Sequence, residues 1–180
     1  NYDNVIKFLH LVNDERGLNI GMRHISLSTC GLCEKIEKLS EEDLPLTLSV
    51  SLHAPTDEAR NAIMPVNRAY GVKRLISECK KYFEKTHRRI SFEYTMIAGK
   101  TDTPTQAKEL AELLSGFPCH VNLIPLNKIS EGELMPSSPE TIKSFVAYLE
   151  KKGITATVRR SLGADIDAAC GQLRQNYISE

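Results

Sequence analysis

Two hydrophobic periods take turns along this chain. Val5, Phe8, Leu9 and Val12 fall at helical spacing behind a candidate cap at Asp3. Ile25-Ser26-Leu27-Ser28 switches to the two-residue period of a strand, and a helix is expected after Gly31. Leu46 to Leu52 alternates strictly, and Thr56 is placed to cap a short helix that stops before Pro65. Val72, Leu75, Ile76, Cys79 and Phe83 form the next helical stripe, followed by a strand from Ile90 to Ile97. Thr103-Pro104 opens a helix with proline at its first position, and Gly116 ends it. A strand from His120 to Ile124 comes next. Ser138-Pro139 then starts a helix with Ile142, Phe145, Val146 and Leu149 inward, Gly153 closes it, and Ile154 to Val158 is the fifth strand. Asn127 to Ser137 is the longest expected loop, with Leu162 to Asp165 next.

Strands that alternate with helices of about ten residues or more predict βαβ units and a parallel sheet. Five such strands suit either an open doubly wound sheet or part of a barrel. The polar positions decide between them. Strands buried on both faces read as continuous apolar runs, whereas four of these carry one small, polar face. Those faces are Ser26 and Ser28; Thr47, Ser49 and Ser51; Ser91, Glu93 and Thr95; and Thr155, Thr157 and Arg159. In the remaining strand Asn122 interrupts the apolar run. The apolar faces can pack on helices, so the polar faces look into a shared, wet interior. The expected fold is therefore α/β: a partial parallel β/α barrel of about five strands, occupying residues 1–180 as a single domain. In such barrels the chemistry sits at the carboxyl ends of the strands. Those ends carry Ser28-Thr29-Cys30, Ser51-Leu52-His53, Tyr94-Thr95, Asn127 and Arg159-Arg160-Ser161, a ring of donors and acceptors suited to a polar cofactor. For any single residue of the ring, capping of the next helix competes evenly with ligand binding.

Composition changes this picture little. Twenty-three basic residues balance twenty-three acidic ones, which excludes a uniformly basic coat for nucleic acid. No apolar run reaches the length of a membrane span, and no secretory leader is visible at Asn1. Five sparse cysteines suit a reducing, cytoplasmic setting better than a disulfide framework. Cys30-Gly31-Leu32-Cys33 has redox spacing near a helix start, but no second ligand pair completes a metal site, so none is expected. Cys79 lies on an apolar stripe, and Cys119 lies at the strand end opposite the expected site. Ile166, Ala169, Cys170 and Leu173 share one helical face, so Cys170 reads as core; its polar neighbours Asp165, Asp167 and Gln172 offer the alternative of a nucleophile.

Four blocks carry a resemblance. They are Arg23-His24-Ile25-Ser26-Leu27-Ser28-Thr29, Ser51-Leu52-His53-Ala54-Pro55, Asn122-Leu123-Ile124-Pro125-Leu126-Asn127, and Asp165-Ile166-Asp167-Ala168-Ala169-Cys170-Gly171-Gln172-Leu173. In order and spacing they resemble the radical SAM RNA methyltransferases that modify carbon 2 of adenosine. The resemblance implies transfer of a methyl group to an adenosine of 23S rRNA, and of tRNA in many bacteria. It implies S-adenosylmethionine and a [4Fe–4S] cluster as cofactors, and an electron donor that reduces the cluster. It places Cys170 on the cysteine that is methylated first and whose methyl carbon, once a hydrogen is abstracted, adds to the adenine. It places Ser28, Ser51, Leu52, His53 and Asn127 on cofactor-contacting positions. Ala164 stands where the family commonly has an acidic residue.

Several parts of the family pattern are not in the chain: the three-cysteine cluster motif, the Gly-rich cofactor motif, the upstream cysteine that resolves the RNA adduct, and the N-terminal RNA-binding segment. The chain is thus expected to be the C-terminal part of the catalytic core, inactive in isolation. Two other readings stay open: a relative that methylates carbon 8 and confers antibiotic resistance, and a non-catalytic interaction module that kept the half-barrel. For RNA contact, residues 73 to 89 carry seven cations against Glu78 and Glu84, which suits a solvated helix face about as well as phosphate binding. Arg159 and Arg160, closer to the expected rim, are the better candidates.

Overall fold

A computed structural model describes residues 1–127 and 134–160. Helix α1 (Tyr2–Asn13) leads through a single 3-10 turn at Met22–His24 into strand β1 (Ser26–Thr29). There follow α2 (Cys33–Leu39), β2 (Thr47–Ser51), α3 (Asp57–Ile63), the one-turn α4 (Asn67–Tyr70), α5 (Val72–Thr86), β3 (Ile90–Met96), α6 (Pro104–Leu113), β4 (Cys119–Pro125), α7 (Pro139–Lys151) and β5 (Thr155–Val158). All four strand pairings are parallel, and the spatial order β1-β2-β3-β4-β5 repeats the order in the chain. A doubly wound sheet reverses its strand order at a switch point. This sheet has no reversal among the described residues, and it forms part of a β/α barrel wall.

Local chemistry sets the element boundaries. The Thr56 hydroxyl accepts the N–H of Ala59 at the head of α3. Thr103 and Gln106 form a reciprocal capping box before Pro104, and Ser138 accepts the N–H of Thr141 before Pro139. Gly153, at φ +77°, supplies the left-handed turn that releases the chain from α7 into β5. At the start of the chain the cap differs from the sequence expectation. Asn1, not Asp3, precedes α1, and no side chain caps it. Leu9 and Val12 turn inward there, whereas Phe8 is exposed.

The strict alternation in the strands becomes two unlike faces. Leu48, Val50, Ile90, Phe92, Tyr94, Met96, Val121 and Leu123 are completely or almost completely buried beneath the helices. Each such aliphatic or aromatic side chain contributes about 1.5–3 kcal/mol of transfer free energy. On the opposite face the register sets Ser28 beside Ser49, Ser49 beside Ser91, and Ser91 beside His120. The next layer runs Ser51, Glu93, Asn122, Thr157. Strand β4 therefore carries the same polar stripe as its neighbours, His120 and Asn122, rather than an apolar run with one interruption.

Candidate cofactor site at the strand ends

The polar face is hydrogen-bonded laterally. Ser26 and Ser49 share a hydroxyl contact of 2.9 Å. His120 joins Ser91 through Nδ1 at 3.3 Å and Thr157 through Nε2 at 2.9 Å, while the Asn122 amide donates to Glu93 Oε2 at 2.8 Å. Burial holds the His120 imidazole below its ordinary pKa, so it serves this ladder as a neutral ring. Ser49 is buried in this ladder, while the other side chains are half-buried to exposed, as befits a lining that opens to solvent.

Toward the carboxyl ends the lining becomes a turn with unusual geometry. Ser51 closes β2, and the next two backbone N–H groups, of Leu52 and His53, both donate to the Glu93 carbonyl at 3.1 Å. His53 sits at φ +60°, a conformation uncommon for a residue with a Cβ. Its Nδ1 meets the backbone N–H of Thr95 at 3.3 Å and the Thr95 hydroxyl at 3.1 Å. Burial, reinforced by the nearby Arg60 charge, pushes its pKa down to about 4. The ring is neutral at physiological pH. Because an amide N–H can only donate, Nδ1 is the acceptor and Nε2 carries the proton.

Arg60 was not among the residues singled out by sequence. Its side chain is 1% exposed and holds the carbonyls of Cys30 (2.8 Å), Ser51 (2.9 Å) and Leu52 (3.0 Å), together with the Asn67 amide oxygen (2.9 Å). Asn67 donates onward to Asp57 and Asn61, and Asp57 accepts the N–H of Val72. The sequence carries little signal for it: Arg60 is the one buried residue of the short α3, so no apolar stripe marks its side of the helix as inward.

Of the expected site residues, Ser28 lies exposed on β1, Ser51, Leu52 and His53 form the turn at the end of β2, and Asn127 lies exposed just past the end of β4. Leu52 is wholly buried, so its backbone rather than its side chain faces the rim. Cys170 and Ser161 lie outside the described residues. Arg159 and Arg160 are exposed beyond β5, with the Arg159 N–H bonded to the Leu123 carbonyl. The cations between residues 73 and 89 are largely engaged: Arg74 with Glu34, Lys81 with Glu78, Lys85 with Glu41, Lys80 over the Phe117 ring, and Arg88 with the Leu46 carbonyl.

The cysteines are quiet. Cys33 and Cys79 are buried and their thiols are pushed up by desolvation, Cys79 more strongly; Cys119 is pushed up to about 11. A buried thiol with a raised pKa is a poor redox partner for Cys30. Among the described residues no group of three or more His, Cys, Asp or Glu side chains could hold a metal ion. These residues therefore do not fit an iron–sulfur cluster. Hydroxyls, an imidazole N–H and an amide around an open polar face do fit a nucleoside carrying an amino-acid group.

No family model matches the chain. A radical SAM methyltransferase from Sphaerobacter thermophilus superposes with a TM-score of 0.92 at 45% identity, over 96% of this chain and 50% of that one. A domain of pyruvate-formate lyase-activating enzyme from Bacteroides vulgatus, at 16% identity and a TM-score of 0.67, shares the fold. The chain is a homologue of the radical SAM methyltransferases. Within that class its curated relatives carry the name RlmN, described as probable dual-specificity RNA methyltransferases. Those of Clostridium perfringens and Clostridium tetani are 52% and 53% identical over 178 residues, 99% of this chain. That of Desulforamulus reducens is 51% identical over all 180 residues. The chain spans about half the length of these relatives, 51% in each case.

Proposed function

We propose that this chain is the C-terminal part of the catalytic core of a cytoplasmic RNA methyltransferase that adds a methyl group to carbon 2 of an adenosine in 23S rRNA and tRNA. The observation that carries this reading is the polar ring at the strand ends. Ser28, the Ser51-Leu52-His53 turn and Asn127 stand at one rim of a half-barrel whose curated relatives are named as probable RNA methyltransferases. Bound there, S-adenosylmethionine would supply both the methyl group and the reactive carbon chemistry that an electron-poor ring carbon demands.

The chain's own residues have separable tasks in this reading. Ser28, Ser51 and Asn127 offer hydroxyl and amide groups to the ribose and the amino-acid portion. His53 offers a fixed Nε2–H donor, because Thr95 occupies its other nitrogen. Leu52 shapes the rim through its backbone. Cys170 takes up the methyl group on its sulfur and presents that carbon to the base. The cluster belongs to residues other than those described here, and an electron donor would reduce it. On these grounds the isolated chain is expected to make no C2-methyladenosine.

Peptide mass mapping of Cys170 in a full-length protein carrying this sequence, expressed with ample iron and sulfide, tests the reading. A methyl group on that cysteine is the expected result. An unmodified thiol with the cluster loaded would return Cys170 to the core and favour a non-catalytic interaction module. Nucleotide analysis of the product RNA then separates carbon 2 from carbon 8.

A further inference from the structure

One group joins the strand ends of the rim and belongs to none of the roles above. Arg60 is buried, yet among the described residues no carboxylate lies within hydrogen-bonding distance of it. Removing a guanidinium from water without a counter-ion costs several kcal/mol unless its donors are well placed. Here four of its N–H groups are used, three of them on main-chain carbonyls at the carboxyl ends of two adjacent strands. Carbonyls at strand ends have run out of ladder partners, and left bare beneath a lid of α3 they would each carry a desolvation penalty. The planar fork satisfies Cys30, Ser51 and Leu52 together, a task a lysine ammonium on a single point cannot perform in the same geometry.

The surroundings are fitted to this group. Gly31, at φ +99°, follows Cys30. A Cβ there would stand 3.0 Å from a Leu75 methyl and 3.3 Å from Arg60 Nη2, so the backbone reaches the guanidinium only as glycine. Asn67 orients the fork from the far side and is itself held by Asp57 and Asn61. The Asp57 carboxylate, held below its ordinary range by Asn67 and the Val72 N–H, remains charged one residue away from the guanidinium and offsets it through Asn67.

We infer that Arg60 is a positioning residue for the cofactor rim: it locks the end of β1 to the Ser51-Leu52 turn of β2, so that the groups facing S-adenosylmethionine are set before it binds. This rests on the cofactor reading of the rim proposed above. Preorganisation of that kind lowers the ordering cost of binding. Its loss is felt in cofactor affinity more than in the turnover of bound cofactor.

The test uses a full-length, cluster-loaded protein carrying this sequence and reads S-adenosylmethionine affinity by calorimetry, with folding followed by circular dichroism. Arg60→Ala is expected to weaken binding about tenfold or more, the scale of outer-partner substitutions at preorganised sites. Millimolar guanidinium, too dilute to denature, is expected to restore part of it. Arg60→Lys is expected to stay weakened, and Asn67→Ala, which leaves the three carbonyl bonds, to lose about threefold. Wild-type affinity in a folded Arg60→Ala protein, or a loss that guanidinium leaves untouched, would overturn the inference. If Arg60→Ala does not fold, Arg60→Lys and Asn67→Ala decide, and wild-type affinity in both overturns it. Absence of binding in the wild-type holoprotein would instead sink the cofactor reading itself.

Discussion

The Thr95 backbone N–H points at His53 Nδ1 across 3.3 Å, and this one contact fixes which nitrogen of the imidazole carries the proton. Thr95 is in turn anchored, since the Thr101 hydroxyl donates to its carbonyl at 2.6 Å. The half-buried ring therefore presents an Nε2–H donor as a permanent feature of the rim. Imidazole nitrogen NMR on the chain should show a single neutral tautomer with Nε2 protonated from pH 6 to 8. A spectrum dominated by the Nδ1–H form would refute the assignment.

Acid stability follows from the same ring. The folded His53 has a pKa of about 4, below the roughly 6.5 of an unfolded histidine. Between these values the unfolded chain binds a proton that the folded chain refuses, so stability falls as pH drops from about 6.5 to 4 and levels off below. The contribution is at most about 3.5 kcal/mol, from the width of that window. His53→Asn suits the positive φ of this position and removes the titration. Urea midpoints measured across this pH range should fall less steeply in the variant than in the parent, with the residual slope coming from His120 and others. Equal slopes would show that His53 is solvated.

The two faces of β2 make a sharper contrast. Leu48 is buried under helices, and its truncation to alanine should cost about 2–5 kcal/mol through lost contact and a cavity. Its neighbour Ser49 points the other way, is buried, and hydrogen-bonds the Ser26 hydroxyl, so Ser49→Ala should cost about 1 kcal/mol. Denaturant unfolding of the two variants measures both. A loss at Ser49 as large as that at Leu48 would mean that the polar face is packed as tightly as the apolar one.

Strand alternation is the reason so much of this fold could be read from the chain. A half-buried strand prints its two faces directly into the sequence, and Thr103-Pro104 and Ser138-Pro139 announce helix starts through local hydrogen bonds. Features held by long-range contacts left weaker traces. The single turn α4 has no apolar stripe; it exists because Asn67 is drawn inward by Arg60 and Asp57. Tyr82 displaces Phe83 from the core side of α5 because Phe83 packs beside Phe117, a partner distant in sequence. The rim itself was legible as a set of strand ends. Its clamp was not, because nothing local distinguishes Arg60 from a solvated cation on a short helix.

Charge accounting separates the two basic regions as candidate RNA contacts. On α5, Lys81 and Lys85 are paired with Glu78 and Glu41, and Arg74 with Glu34, so releasing them to phosphate first breaks existing contacts. Arg159 and Arg160 are exposed where β5 runs out, on the rim side of the sheet. Each phosphate contact releases condensed counterions and adds roughly 0.7–0.9 to the slope of log affinity against log salt. In a full-length protein carrying this sequence, replacing both arginines with alanine should flatten that slope by about 1.5, while Lys81→Ala with Lys85→Ala should leave it near the parent value. A salt titration of RNA binding distinguishes the pairs. The reverse pattern would move the RNA from the rim to the outer helices and, with it, the path by which an adenosine reaches the polar interior.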